Sequence, residues 1–344
     1  MIRSRVFAGS LACILVLAIG PASVSAQRLD LTVDGYGLVI GNKPRVNGVR
    51  LNFRDRGLDR VNGINATLWT PYEPISGSVY GLALGLPATG ASRIEGIALG
   101  VFGVGAAQEI RGIGIAPIGI GSGGRLWGLM IGGIGAGASG DVQGIGIGGI
   151  GVGSGGSARG IFIGGIGAGA AGNLQGLSIG GIGVGGGGNM SGIQLGGVGV
   201  GSGGSITGLS IGGVGVGAAG DIKGINLAGV GIGAGGLVKG LTIAGLGAGA
   251  SRLEGIVLTG FGAGGERVKG LIVAPFYFKV TEGGELTGAS FSAYNRVIGA
   301  QHGVTIGLLN YARSLNGVQI GVLNIVDRPS GKRWFPILNV GHDK

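Results

Sequence analysis

The stretch GLSIGGIGVGGGGNMS, residues 176–191, is one unit of the repeat that decides the fold of this chain. Counted from Gly176 as position 1, its apolar side chains stand at positions 2, 4, 7 and 9: Leu177, Ile179, Ile182 and Val184. Alternation at 2 and 4, and again at 7 and 9, is typical of β-strands with one buried face. On a single straight strand, the odd step of three residues from position 4 to position 7 would send the two aliphatic pairs to opposite sides. The sequence therefore predicts a corner at Gly180 and Gly181, where paired glycines permit unusual backbone angles.

A second corner is predicted at residues 185–189, GGGGN, where Asn189 supplies turn chemistry. Helix is excluded, because each interior glycine costs about 1 kcal/mol relative to alanine. Each unit is thus predicted to be one coil of a β-solenoid, with two short strands, two corners and the four aliphatic side chains inside. Ser178 is expected outside, so that aspartate at position 178 should be mild and aspartate at position 179 severely destabilising.

The repeat has a strict 16-residue period in the middle of the chain and looser copies on both sides. Nineteen register glycines give a rod of roughly 90 Å at about 4.8 Å per coil, and nearly the whole chain is one tandem array. The strict registers are Gly96, Gly112, Gly128, Gly144, Gly160, Gly176, Gly192, Gly208, Gly224 and Gly240; the looser ones are Gly37, Gly48, Gly63, Gly81, Gly255, Gly270, Gly288, Gly303 and Gly317.

The N-terminus has the pattern of a secretory signal peptide. Two arginines precede an apolar run from Val6 to Gly20, and PASVSAQ supplies a cleavage site before Gln27. Cys13, the single cysteine, leaves with that peptide, so no disulfide stabilises the exported chain. The expected destination is the outer membrane, the cell surface, the extracellular space or the periplasm of a bacterium.

These features divide the chain into four parts. They are a signal peptide (1–26), N-terminal degenerate repeats with a cap (27–95), the glycine-rich 16-residue array (96–254), and C-terminal degenerate repeats with a cap (255–344). Two longer units, at 69–80 and 274–285, are predicted to form loops that bulge from the rod.

Basic residues gather at the two ends of the chain. The chain has 25 Lys and Arg against 15 Asp and Glu, yet no charged residue lies between Gly160 and Gly220. A nucleic-acid-binding protein needs a basic stripe, which this middle lacks. A wide uncharged face usually has a partner, and the candidates are a second copy of the chain, an envelope polysaccharide or the outer-membrane surface.

The C-terminal units, HGVTIGLLNYARSLNGVQIGVLNIVDRPSGKRWFPILNV, resemble a family of exported bacterial surface-repeat proteins first noted in spirochaetes. That family is built on Gly-[Val/Ile/Leu]-x-Ile-Gly-[Leu/Val]-x-Asn units and often closes with Pro-[Ile/Leu]-[Leu/Ile]-Asn. The matches are Gly303, Ile306, Gly307 and Asn310, then Gly317, Ile320, Gly321 and Asn324, then Pro336, Ile337, Leu338 and Asn339.

The resemblance is specific over about 300–340 and extends to 46–110. In the middle only the Gly-Ile/Leu-x-Ile/Leu core is shared, because a further glycine replaces the apolar residue and the Asn is lost. The family has no assigned activity. The resemblance therefore implies export and a surface role and carries over no catalytic residue.

The residue types that carry chemistry are sparse. Asp141 and Asp221 are too isolated for calcium-binding repeats, and His302 and His342 are too few for a metal cluster, so no metal, cofactor or catalytic residue is predicted. The carboxylates that could cleave a glycan are Glu73, Glu95, Glu109, Glu254, Glu266, Glu282 and Glu285. The aromatic residues of the two longer units are expected to fill the ends of the core; if a ligand site exists, they could instead stack on a sugar. They are Trp69, Tyr72, Tyr80, Phe276, Tyr277 and Phe278.

The sequence thus favours a non-enzymatic, secreted or cell-surface structural or adhesive repeat protein that presents a flat uncharged β-face. One alternative is an outer-membrane β-barrel, in which each GLSIGGIGVG would cross the lipid. The parity change and the lack of an aromatic girdle argue against it. A second alternative is a polysaccharide-active β-solenoid enzyme.

Overall fold

Successive coils stack in parallel along the described chain, except at its two ends, where the terminal strands pair antiparallel. The structure, a computed structural model, describes residues 28–328 and 331–342, and these contain strands but no helix. Coils pair residue for residue at the repeat distance, as Gly160 does with Gly144 and Gly176. The predicted β-solenoid of 16-residue coils is confirmed, and the alternative of antiparallel membrane-crossing strands is wrong. The signal peptide and Cys13 lie outside the described residues.

The N-terminal strands are β1 (Leu29–Val33), β2 (Tyr36–Ile40), β3 (Arg45–Asn52), β4 (Arg60–Thr67), β5 (Ser78–Gly85), β6 (Ala88–Gly100) and β7 (Gly103–Ala116). The central strands are β8 (Gly119–Ser122), β9 (Arg125–Gly132), β10 (Gly135–Ala138), β11 (Val142–Gly148), β12 (Gly151–Ser154), β13 (Ala158–Gly164), β14 (Gly167–Ala170), β15 (Leu174–Gly180), β16 (Gly183–Gly186), β17 (Met190–Gly196), β18 (Gly199–Ser202), β19 (Ile206–Gly212), β20 (Gly215–Ala218) and β21 (Ile222–Ala228). The C-terminal strands are β22 (Gly231–Ala244), β23 (Gly247–Thr259), β24 (Gly262–Val273), β25 (Tyr277–Phe291), β26 (Tyr294–Arg328) and β27 (Gly331–Gly341).

Each central coil consists of a longer and a shorter strand separated by bends. In the coil of Gly176 these are β15, which begins two positions before that glycine, and β16; the backbone bends at 181–182 and at 187–188. Both bends lie at the glycine-rich corners that the sequence predicts. A third departure from strand geometry lies inside β15, at Gly176 itself, whose φ is +113°.

The column of position-1 glycines sets the distance between coils. All nineteen register glycines have positive φ, a conformation that side chains with a Cβ rarely adopt. A Cβ on Gly176 would in addition collide with the carbonyl oxygen of Gly160 in the coil before it. Both restrictions recur in every coil, so the column accepts no other residue without displacing the stack.

The expected placement of the aliphatic side chains is wrong at three of the four positions. Val184 points inward as predicted, but Leu177 and Ile179 are only partly buried and Ile182 is 54% exposed. Ser178, expected outside, is completely buried. Inward positions are 3, 5, 9, 11 and 15.

The reason is that the interior is too narrow for four aliphatic residues per coil. At position 5, a Cβ on Gly180 would collide with the carbonyl oxygen of Gly183, because the two strands of one coil approach closely there. Position 5 therefore holds a small residue, mostly glycine and in some coils alanine, such as Ala116 and Ala228, and it gives little hydrophobic signal. The larger aliphatic side chains are displaced to the outer surface.

Side-chain volume inside the coils is balanced between positions 3 and 9. In four successive coils, from Gly112 to Gly160, a glycine at position 3 goes with Ile or Val at position 9, and a bulky residue at position 3 goes with Ala at position 9. The pairs, position 3 first, are Gly114 with Ile120, Met130 with Ala136, Gly146 with Val152, and Phe162 with Ala168. The compensation is what close packing of a small core demands.

The position-14 corner is held by a ladder of side-chain-to-backbone hydrogen bonds. Asn173 Oδ1 accepts the N–H of Asn189 at 2.8 Å, and Asn189 Oδ1 accepts the N–H of Ser205 at 2.9 Å. Asp221 continues the ladder by accepting the N–H of Leu237 at 2.9 Å. The hydrogen bond from Lys223 is the main cause that lowers the pKa of Asp221, and the Leu237 N–H contributes. The Asn, Asp or Ser at this position thus joins successive coils.

The N-terminal coils bury a connected polar cluster. Arg50, completely buried, pairs with Asp55 and donates to Asn65 Oδ1 at 2.7 Å and Asn42 Oδ1 at 2.8 Å. Asp55 also accepts from Asn52 at 2.8 Å and from Asn65 at 2.9 Å. A buried charge is tolerated when its partners satisfy it in this way.

The C-terminal coils bury an asparagine ladder that explains the repeat motif. Asn295 donates to Asn310 Oδ1 and Asn310 donates to Asn324 Oδ1, both at 2.8 Å. Asn339 of the tail donates to Gln319 Oε1 at 2.9 Å in a neighbouring buried column. The motif asparagines therefore stack along the rod, as amides do in cross-β structures.

Both ends of the described chain turn back as antiparallel hairpins. β1 pairs with β2 through a turn at Asp34 and Gly35, both with positive φ, and β27 pairs with β26. An Asp-Gly pair with positive φ is typical of a tight hairpin turn.

Replacing Gly176 with alanine tests the position-1 column. We expect the free energy of unfolding to fall by about 2–3 kcal/mol, since the new Cβ meets both an unfavourable φ and a backbone carbonyl. Denaturant titration of the purified chain measures this. Gly185→Ala in the same coil is the matched control, because nothing lies within 4 Å of a Cβ there. Equal losses for the two variants would contradict the close approach of coils at position 1.

Aspartate at neighbouring positions tests the corrected orientation. Ser178→Asp should cost more than about 3 kcal/mol because it buries an unpaired carboxylate. Ile179→Asp should cost about 1–2 kcal/mol, since its side chain lies at the surface. The comparison uses the same unfolding titration. A larger loss at Ile179 than at Ser178 would restore the orientation first expected from the sequence.

Candidate functional site

The most extensive surface feature is an apolar face that runs along the solenoid. It consists of the outward side chains at positions 2, 4 and 7 in the twelve coils from Gly96 to Gly270, and every one of these residues is apolar. We call this surface the apolar face. Monomeric proteins rarely expose a continuous apolar patch of more than a few hundred Å². The face is therefore the leading candidate for the functional site.

Position 7 forms the most exposed line of the apolar face, which we call the ridge. Its twelve side chains are between 42% and 58% exposed, although each backbone N–H is hydrogen-bonded to the coil before it, as Ile182 N is to Ile166 O at 2.7 Å. The ridge consists of Phe102, Ile118, Ile134, Ile150, Ile166, Ile182, Val198, Val214, Val230, Leu246, Phe261 and Phe276. Phe261 and Phe276 stack with their ring centroids 5.1 Å apart.

Positions 2 and 4 form two further columns on the strand that precedes the ridge. Their side chains cover one another along the rod, so most of them are only partly exposed, as Leu177 and Ile179 are. Between position 4 and the ridge the chain passes through glycines at positions 5 and 6 in six successive coils, for example Gly180 and Gly181. The result is a groove beside a ridge, both running along the rod.

At its N-terminal end the groove forms a cavity of about 470 Å³. Leu84 and Leu99 of position 4 line one side, and Leu68, Leu86 and Val101 line the other. Its lining is almost entirely apolar, which is typical of sites that accept hydrophobic side chains.

The other two outer segments of each coil differ in chemistry. Positions 8 and 10 are almost all glycine in the central coils, as Gly183 and Gly185 are. Positions 14 and 16 hold the polar and charged side chains, as Asp221 and Lys223 do. Charge and apolar surface are thus segregated around the rod.

In the first group of predicted ligand residues, Trp69 and Tyr72 lie in a loop, as expected, whereas Tyr80 belongs to β5, and two of the three rings are already stacked. The guanidinium of Arg54 lies 3.7 Å from the ring centroid of Tyr72, and that of Arg60 lies 4.8 Å from Tyr80. Trp69 is about half exposed. Arginine on one face of a tyrosine favours a structural cation–π contact over an open platform for a sugar.

The second group lies where the predicted loop is only partly present. Tyr277 and Phe278 belong to β25, and the extra residues bulge out between Val280 and Glu285. Phe278 is completely buried and so offers no surface to a ligand. Phe276 belongs to the ridge, and Tyr277 packs on Tyr294 with centroids 5.5 Å apart. The two aromatic groups lie thirteen coils apart, roughly 60 Å, and do not form one site.

Four of the candidate carboxylates have basic neighbours. Glu109, which is buried, lies 3.1 Å from Arg111 and 3.7 Å from Arg93. The other ion pairs are Glu254 with Lys239, Glu282 with Arg313, and Glu285 with His302. These contacts suit a role in joining coils.

Within the described ranges, no three His, Cys, Asp or Glu side chains are grouped so that they could hold a metal ion. Nor does the same part of the chain contain a helix that is long and apolar enough to cross a membrane.

The sequence predicts the apolar face only in part. An uncharged middle was predicted, but its aliphatic side chains were placed inside and its surface was expected to be glycine. The signal that was overlooked is position 15, where Leu174, Met190 and Ile206 are buried. With positions 9 and 15 filling a narrow core, positions 2, 4 and 7 have no room inside.

Comparison with protein-family models, with curated proteins and with solved structures gives no match for this chain. The candidate site therefore rests on the geometry of the chain alone.

A hydrophobic dye reports on the apolar face. At a protein concentration at which the native chain is monomeric, we expect it to bind 1-anilinonaphthalene-8-sulfonate and the triple variant Ile150→Lys, Ile166→Lys, Ile182→Lys to bind much less, because three neighbouring members of the ridge become charged. Fluorescence titration measures the difference. The matched control is Gln143→Lys, Gln175→Lys, Ser191→Lys at position 16, which adds the same charge to the polar segment. Equal loss in the two triple variants would show that dye binding follows net charge and not the ridge.

Proposed function

We propose that this chain is a non-enzymatic, exported structural repeat protein of the bacterial envelope or surface. It acts as a rigid rod that presents an extended, uncharged apolar face for association. The continuous apolar face over twelve coils is the observation that supports this proposal. A surface of this kind in a soluble chain is stable only when a partner covers it.

The architecture of the coil supports a structural role. Parallel pairing at a fixed period gives a stiff scaffold in which each coil contacts its neighbours, so the face keeps its shape over its whole length. The outward positions 2, 4 and 7 carry no acid, base or nucleophile. Association rather than turnover is what such a surface can provide.

Export is proposed from the signal-peptide pattern of residues 1–26 and from the resemblance of the C-terminal units to exported surface-repeat proteins. Deleting residues 1–26 should leave the protein in the cytoplasm, whereas the full chain should be recovered in the envelope fraction. Salt or a chelator should release it as an elongated particle. Full chain that remains in the cytoplasm would contradict export.

Envelope association should depend on the apolar face. In cells that express the full chain, the triple ridge variant Ile150→Lys, Ile166→Lys, Ile182→Lys should move from the envelope fraction to the soluble exported fraction. The position-16 control variant should stay with the envelope, because the charges are on another segment. Quantitative immunoblotting of the fractions measures the shift. Identical distribution of both variants would contradict a role for this face.

A further inference from the structure

The occupant of the apolar face can be inferred from its shape. The ridge at position 7 and the groove between positions 4 and 7 lie side by side and run in parallel along the rod. A two-fold axis that lies between two copies and runs parallel to the rod exchanges the two sides of the face. It therefore places the ridge of each copy in the groove of the other. The face is thus complementary to itself.

The repeat distance makes this fit hold along the whole face. Both copies have the same spacing of about 4.8 Å between coils. If one ridge side chain fits one groove segment, the ridge side chains above and below it therefore fit the adjoining segments. In the six coils from Gly128 to Gly208, groove positions 5 and 6, such as Gly180 and Gly181, carry no side chain that would obstruct the incoming ridge.

The size of the face matches a stable pair. Twelve coils extend over roughly 50 Å, and the width across positions 2 to 7 is roughly 15 Å. Two such faces in contact bury on the order of 1,500 Å² in total, close to the roughly 1,600 Å² of a standard specific interface.

Charge distribution disfavours a lipid surface as the occupant. Segments that lie on a bilayer combine an apolar face with lysine and arginine at its border. Here the coils between Gly160 and Gly220 have no charged residue at all, so the middle of the face has no basic border. Lys223 and Lys239, at position 16 of strands that also carry positions 2 and 4, border the face only outside that stretch. A polysaccharide is disfavoured because positions 2, 4 and 7 have no side chain that can donate or accept a hydrogen bond.

We propose that the apolar face is covered by a second copy of this chain, in a parallel, in-register pair in which the ridge of each copy lies in the groove of the other. The proposal deepens the proposed function by naming the partner of the face. The pairing is tested on purified protein, so a negative result can be distinguished from a failure of export or of envelope association. The two-fold axis runs along the rod, and the same ends of the two rods lie together.

The test uses the exported chain, residues 27–344, in detergent-free buffer, with mass measured by sedimentation equilibrium. The chain should be a dimer, and the triple variant Ile150→Lys, Ile166→Lys, Ile182→Lys should dissociate at least roughly 100-fold more readily, since charged side chains replace central members of the contact. The position-16 control variant should remain dimeric. Circular dichroism and an unfolding titration verify that each variant is folded.

A charge-reversal pair identifies the partner as the same face of another copy. The triple variant with glutamate at 150, 166 and 182 should also be monomeric, but a mixture of the lysine and glutamate variants should form a heterodimer, because the two ridges are adjacent in the pair. A monomeric native chain would overturn the proposal. So would a native dimer that the lysine variant leaves intact, because the contact would then lie on another surface, such as the terminal hairpins.

Orientation is tested by energy transfer between labels on single-cysteine variants. The exported chain has no native cysteine, so Arg125→Cys and Arg267→Cys, both exposed, can be labelled uniquely. In the parallel pair, transfer should be high between two labels at 125 and low between labels at 125 and 267, which lie nine coils or roughly 40 Å apart. High transfer only between 125 and 267 would overturn the ridge-in-groove arrangement. Capture of a monomeric native chain by uncharged phosphatidylcholine vesicles would assign the face to lipid and likewise overturn the proposal.

Discussion

The structure depends on one steric constraint, the close approach of successive backbones at position 1. The carbonyl oxygen of Gly160 occupies the place where a Cβ of Gly176 would stand, and the same relation recurs between all neighbouring registers. Because of it the coils stack with every residue directly above its equivalent, and backbone hydrogen bonds join each coil to the next. The 89 glycines of the chain are thus a geometric requirement of tight winding and not a sign of disorder.

Tight winding also reverses the usual distribution of apolar side chains. A coil of 16 residues has room inside for about one large side chain at position 15 and a balanced pair at positions 3 and 9. The remaining aliphatic residues lie outside in columns, where each covers part of the next. This ladder packing buries about half of a ridge side chain such as Ile182 even without a partner. It explains how the chain can fold with so much apolar surface, and why that surface remains available for association.

Much of the fold could be predicted from the period alone. The 16-residue repeat fixed the coil, paired glycines located the corners, and the Asn, Asp or Ser at position 14 indicated the second corner. The orientation could not be predicted from alternation, because the inward sites at positions 5 and 11 hold glycine, alanine or serine, such as Gly180 and Ser154, which contribute little hydrophobic signal. The information was nevertheless present in the reciprocal sizes of Gly146 with Val152 and Phe162 with Ala168, since only facing core positions compensate in this way. Two of the aromatic residues are packed side chains and not an open platform for a sugar. Phe278 fills the core, and Tyr72 packs against Arg54.

The two ends differ from the middle in what fills the interior, and the difference bears on how the rod is built. Arg50 with its partners at one end and the ladder of Asn295, Asn310 and Asn324 at the other are connected hydrogen-bonded networks, whose geometry fits only one arrangement of their coils. The central coils instead contain apolar residues of different sizes, such as Phe162 and Ala168, and isolated polar groups such as Ser178. Specific ends therefore fix the register of an array whose middle relies on backbone pairing and apolar packing. Because each central coil adds the same increment to the apolar face, the number of coils sets the area available for association without altering its chemistry.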